Sequence, residues 1–121
     1  MRAIARKEVR KHIKLLTKEI MVRLPKLGET SEEQDPIVQC KFFDPTSQWT
    51  WYVIEGEQQE NGDWLFYGYV IGVVAELGNF TLSEIQNVKQ GLTGLRGLPI
   101  ERDLYFSPCP LSKVRQEAKE F

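Results

Sequence analysis

The chain has 121 residues, 41% hydrophobic and 27% charged, which is the balance of one soluble domain able to build a core without metal or disulfide staples. No apolar run approaches the ~20 residues that span a bilayer, and the charged N-terminus lacks the apolar segment of a secretion signal. A cytoplasmic protein with no membrane partner is therefore expected. The net charge of −1 conceals a division: residues 1–26 carry nine Lys or Arg against two acids, and the remainder seven against fifteen.

In chain order, Val9, Ile13, Leu16, Ile20 and Leu24 recur at helical spacing, which predicts one helix over residues 4–24 with a frayed start. An alternative has Thr17 as N-cap and only the last turns helical. Pro25 ends the helix. Lys7, Arg10, Lys11, Lys14 and Lys18 fall mainly on the opposite side, either as a solvated face or as a footprint for phosphates. Residues 26–36 are polar and acidic and read as an exposed linker. Residues 37–43 read as a strand with Val38, Cys40 and Phe42 on one face. Asp44-Pro45-Thr46-Ser47 is a turn.

The densest signal follows. Residues 48–55 and 64–73 hold all three tryptophans and most of the tyrosines, a strong strand pair joined by a polar loop that closes at Asn61-Gly62. Strict alternation puts Trp49, Trp51, Val53 and Glu55 on one face. Gly68 and Gly72 mark close approach by a neighbour, such as a tryptophan. Residues 76–79 read as a turn, and Thr81 with Glu84 as a capping box opening a helix from Leu82 to about Gln90, with Leu82, Ile85 and Val88 inward. Gly91, Gly94 and Gly97 make a loop. Residues 99–106 read as an edge strand, the prolines after it exclude a central strand, and a short polar helix runs from Leu111. The expected fold is α+β: a small antiparallel meander of three to four strands, an N-terminal helix and a short helix packed on the sheet, in a single domain.

The chemistry on offer is narrow. Cys40 and Cys109 lack CxxC spacing and His12 is the lone histidine, too few for a four-ligand zinc site or a nucleophilic triad. Two free thiols, no metal and no cofactor are expected. Asp44, Glu55, Glu76, Glu101 and Asp103 lie at or beside strand ends, where two that converged would suit acid–base or metal work. Alternation sends Arg102 to the face opposite Glu101 and Asp103, so it must find a partner such as Glu55 or Glu76, or take an anionic ligand. Trp49, Trp51, Tyr67 and Tyr69 are core if the sheet is covered, and a stacking platform or protein hot spot if one face is open.

Leu15-Leu16-Thr17-Lys18-Glu19, Leu24-Pro25-Lys26-Leu27, Lys41-Phe42-Phe43, Trp49-Thr50-Trp51-Tyr52, Glu76-Leu77-Gly78, Phe80-Thr81-Leu82 and above all Gly97-Leu98-Pro99-Ile100-Glu101-Arg102-Asp103-Leu104-Tyr105-Phe106 together resemble the bacterial family catalogued as domain of unknown function 2958. The resemblance covers residues 15–111, leaving 1–14 as a basic extension and 112–121 as a tail. It implies an accessory protein of a plasmid, phage or integrative element, and supplies no catalytic residues. The expected function is non-enzymatic binding of a protein partner through Trp49, Trp51, Tyr67, Tyr69, Glu55, Glu101, Arg102 and Asp103. The alternative is nucleic-acid binding through the basic helix and the aromatic face, and the third reading is a carboxylate or metal-dependent enzyme. The oligomeric state stays open.

Overall fold

The computed structural model describes residues 14–87 and 98–119. Helix α1 (Lys18–Arg23) leads, followed by strands β1 (Ile37–Val38), β2 (Cys40–Phe43), β3 (Thr50–Gln58), β4 (Trp64–Ile71) and β5 (Ala75–Thr81). Helix α2 (Leu82–Gln86), β6 (Glu101–Arg102), β7 (Cys109–Pro110) and helix α3 (Leu111–Lys119) complete the order. Five strands form one sheet in the order β5-β4-β3-β2-β6, antiparallel throughout, and β1 pairs with β7 in a separate ribbon. The α+β class holds, but the sheet is larger than a three- or four-stranded meander. None of the helices described is long and apolar enough to cross a membrane.

Both faces of the sheet are covered. On one, Phe42, Trp51, Val53, Phe66 and Phe80 pack against Leu16, Ile20 and Leu24 and against Ile85 of α2. On the other, Val38, Ile54 and Tyr69 pack against Leu111 and Val114 of α3. Each large apolar side chain so removed from water contributes about 1.5–3 kcal/mol. The paired aromatics are part of this packing: Phe42 meets Phe66 edge-on with centroids 5.9 Å apart, and Trp49 stacks on Trp51 at the same separation.

Several local expectations change: the edge strand expected over 99–106 is only Glu101–Arg102, and the helix expected to reach about Gln90 ends at Gln86 with Asn87 as its C-cap. The single long helix does not hold over residues 14–17, which are not helical. Thr17 is extended (φ −99°, ψ 163°) and its hydroxyl accepts from the Ile20 amide, so the helix starts at Lys18, as the N-cap alternative has it. Residues 1–13 lie outside the described part, and with them Val9, Ile13, His12, Lys7, Arg10 and Lys11. The strand expected over 37–43 breaks at Gln39, whose amide donates to Val53 O, so Val38 packs under α3 while Cys40 and Phe42 face α1. Residues 76–79 are not a turn but the middle of β5, in unbroken register with β4. The acidic 26–36 segment is anchored rather than a free linker, with Thr30 and Pro36 buried. Of the remaining expectations, Val88 and the glycines at 91, 94 and 97 lie outside the described residues.

The two strand glycines act as expected of close approaches. A Cβ on Gly72 would run into the Trp49 ring, and one on Gly68 into Tyr52 O. The first glycine makes room for a tryptophan and the second for a backbone.

Candidate functional site

The pairing of β3 with β4 passes from Val53↔Gly68 to Glu55↔Tyr67, with Ile54 left over. This is a β-bulge, in which two residues of one strand stand against one of the other. The extra residue reverses the alternation. Ile54 and Glu55 both face the side of Tyr67, and Glu55 leaves the face of Trp51 on which strict alternation put it.

Turned over in this way, Glu55 meets the segment that follows α1. Its Oε1 accepts from the Gly28 amide at 2.8 Å; its Oε2 accepts from the Thr30 amide at 2.9 Å and from the Thr30 hydroxyl. Gly28 has φ +89°, a left-handed conformation that suits glycine, at the turn where the Gly28 and Thr30 amides converge on one carboxylate. Glu55 is only 4% exposed. Burial pushes its proton affinity up, but the three donors outweigh it and hold the carboxyl below the ordinary value, as expected of an acid whose charged form is hydrogen-bonded.

Two more acids pin loops to helix starts. Asp35 accepts from the Ser112 amide and hydroxyl at 2.8 and 2.6 Å. Asp63 accepts from the amide and hydroxyl of Ser83 and from the Trp64 amide. The Ser112 and Ser83 hydroxyls are the main reason each carboxyl lies below its usual range.

The anchored segment, the bulge, β5 and the start of α3 enclose an open cleft of about 470 Å³. Leu27, Ile54, Leu77 and Leu111 supply its apolar wall; Glu55, Tyr67, Asn79 and Arg115 supply polar groups. Asn79 is held by a bond from Nδ2 to Phe66 O (3.1 Å), and the Arg115 guanidinium lies 5.2 Å from the Tyr69 ring centroid. A mainly apolar concavity with a few placed polar groups has the size and character of a ligand or side-chain pocket.

Of the residues expected to bind, the structure brings Glu55 and Tyr67 into this cleft. Trp51 and Tyr69 are 5% and 9% exposed and Trp49 is half-buried against the core, so the four rings form no open stacking platform. Glu101 and Arg102 lie at the other edge of the sheet, in β6 beside β2. Arg102 pairs with neither Glu55 nor Glu76: its Nε donates to Lys14 O at 2.9 Å. Asp103 pairs with Lys41 at 3.5 Å. Of the strand-end acids, Asp44 accepts from the Thr46 amide and hydroxyl within its own turn, and among the described residues no group of three potential metal ligands occurs. Both cysteines are free thiols. Lys14 and Lys18 are exposed.

The sequence reading missed Thr30, Leu77, Asn79 and Arg115. Only Arg115 had a local signal: it follows Val114, which with Leu111 makes an apolar i, i+3 pair on the last helix. The others depend on contacts made far along the chain.

No curated protein and no solved structure matches the chain. Residues 15–121 match the family described as Protein of unknown function (DUF2958). That match takes in all but the basic N-terminal stretch, and the chain belongs to this family.

Proposed function

We propose that this chain is a non-enzymatic interaction protein that receives an extended segment of a protein partner along β5, with a partner side chain seated in the adjoining cleft. The observation that carries this reading is the state of the β5 edge. β5 has seven residues in unbroken register with β4 and, among the described residues, pairs on that side alone. Edge strands are usually guarded by lysine, proline, a bulge or shortness. β5 has none of these, and Glu76 is its one charge. Leu77 on the strand, with Val73 and Val74 beside it, is exposed. Strand addition draws affinity from main-chain hydrogen bonds and specificity from pockets for alternate side chains; Leu77 and Asn79 belong both to this strand and to the cleft wall.

Glu55 fits a strut better than a proton carrier. A general base works best with a proton affinity near neutrality, and this carboxyl is held well to the acid side by the loop it anchors. The family resemblance supports reading it as an accessory protein of a mobile element.

Affinity capture from the source cell tests the reading. Wild type and the exposed-surface control Val22→Lys should retain a common partner, and Leu77→Lys should lose it while keeping its circular dichroism and melting temperature. Undiminished capture by a folded Leu77→Lys would overturn it.

A further inference from the structure

At the opposite edge of the sheet a second groove, of about 340 Å³, runs between α1 and the 102–106 segment. Thr17 and Arg23 stand on one bank, Arg102 and Asp103 on the other, and Cys40 lies between them. Two guanidinium groups therefore share one concavity. Arg23 is held by Gln39: its Nε donates to Oε1 at 3.0 Å and its Nη2 to the backbone oxygen at 2.8 Å. Arg102 is held through Nε alone, by Lys14 O. Every one of these acceptors is neutral. The remaining guanidinium N–H groups have no acceptor among the described residues, and the one ion pair found there joins Lys41 to Asp103. Asp103 is thus matched by its own lysine, which leaves Glu19 as the other acid on the groove.

Both cations are felt at the groove floor. Burial pushes the Cys40 thiol up to about 12, and Arg23 and Arg102 pull in the opposite direction. A thiol so raised is neither a nucleophile nor an anion at neutral pH, so it does not neutralise the arginines. Two forks oriented by neutral acceptors, with donors to spare, are the arrangement that receives an oxyanion.

We propose that this groove binds a phosphate-class oxyanion, with Arg23 and Arg102 as its paired donors. Inorganic phosphate is the first probe, added to ¹⁵N-labelled protein at constant ionic strength with chloride as control. The expected result is saturable movement of the Arg23 and Arg102 Nε–H signals and of the amides at 39–40 and 102–104, absent with chloride. Arg23→Gln and Arg102→Gln should each weaken the phosphate response about tenfold or more, the size of losing a charge-assisted contact. Arg102→Lys should keep part of it, since charge remains but the fork is lost. Arg23 is exposed, so its variant stands as the test should Arg102→Gln fail to fold.

A short duplex DNA separates the two sources of such a group. Movement of the same arginine signals by duplex, with affinity falling steeply in salt, would assign the oxyanion to a nucleic-acid backbone. Movement by phosphate alone would assign it to a small ligand. No saturable change with either, or an equal response from a folded double variant, would overturn the proposal.

Discussion

Glu55 shows how much one carboxylate does in this molecule. Replacing it with alanine leaves the Gly28 and Thr30 amides and the Thr30 hydroxyl without their acceptor. Stranding buried donors costs about 1–3 kcal/mol each, so Glu55→Ala should lower the unfolding free energy in urea by roughly 2 kcal/mol or more. Glu55→Gln, which keeps one oxygen, should lose less. Equal stability of all three proteins would show that the 27–30 segment is not held as described. Thr17 is a smaller case: Thr17→Ala removes the bond from the Ile20 amide and should cost about 1 kcal/mol. The bulge beneath Glu55 was invisible in the sequence, where Trp51-Tyr52-Val53-Ile54-Glu55 reads as perfect alternation. It is a property of how two strands meet, and Gly68 opposite Val53 was its one outward sign.

The elements divide by whether their cause is local. β3 and β4 were legible because β-branched and aromatic residues suit a pleated surface regardless of partner. The start of α2 was legible because Thr81 bonds the Glu84 amide only three residues away. β5 was not. Gly78 and Asn79 are turn residues by habit, yet Gly78 stands opposite Gly68, and the Asn79 side chain finds Phe66 O across the strand pair. The cleft was half legible for the same reason: Glu55 and Tyr67 sit on readable strands, while Thr30 arrives from the turn segment after α1 and Arg115 from α3. The glycines give a paired prediction. A Cβ at Gly68 would press into the Tyr52 carbonyl, whereas Gly78 has nothing within 4 Å. Gly68→Ala should therefore lose several-fold more stability in urea than Gly78→Ala, whose change should stay within about 0.5 kcal/mol. Similar losses at both positions would contradict the described approach of β4 to β3.

Taken together, the described residues form a sheet covered on both faces by helices, with the long edge strand β5 paired on one side alone. Its loops are tied to this body by acids whose charged forms are hydrogen-bonded: Asp35, Glu55 and Asp63 all lie below their ordinary carboxyl values of 3.8 to 4.5. A group whose proton affinity is lowered by folding contributes stability above its unfolded value and loses it as pH falls through the folded one. Urea midpoints should hold from neutrality to about pH 5 and then decline steadily toward pH 2. Glu55→Gln should flatten that decline. A decline that was unchanged in this variant would remove Glu55 from the cause.

Native-state hydrogen exchange of the protein alone tests the open edge most directly. With β4 its only strand partner among the described residues, β5 should show alternating behaviour: amides bonded to β4 protected, those pointing away exchanging fast, and β3 and β4 protected along their length. Uniform slow exchange along Ala75–Thr81 would mean that the edge is already paired and would contradict the account.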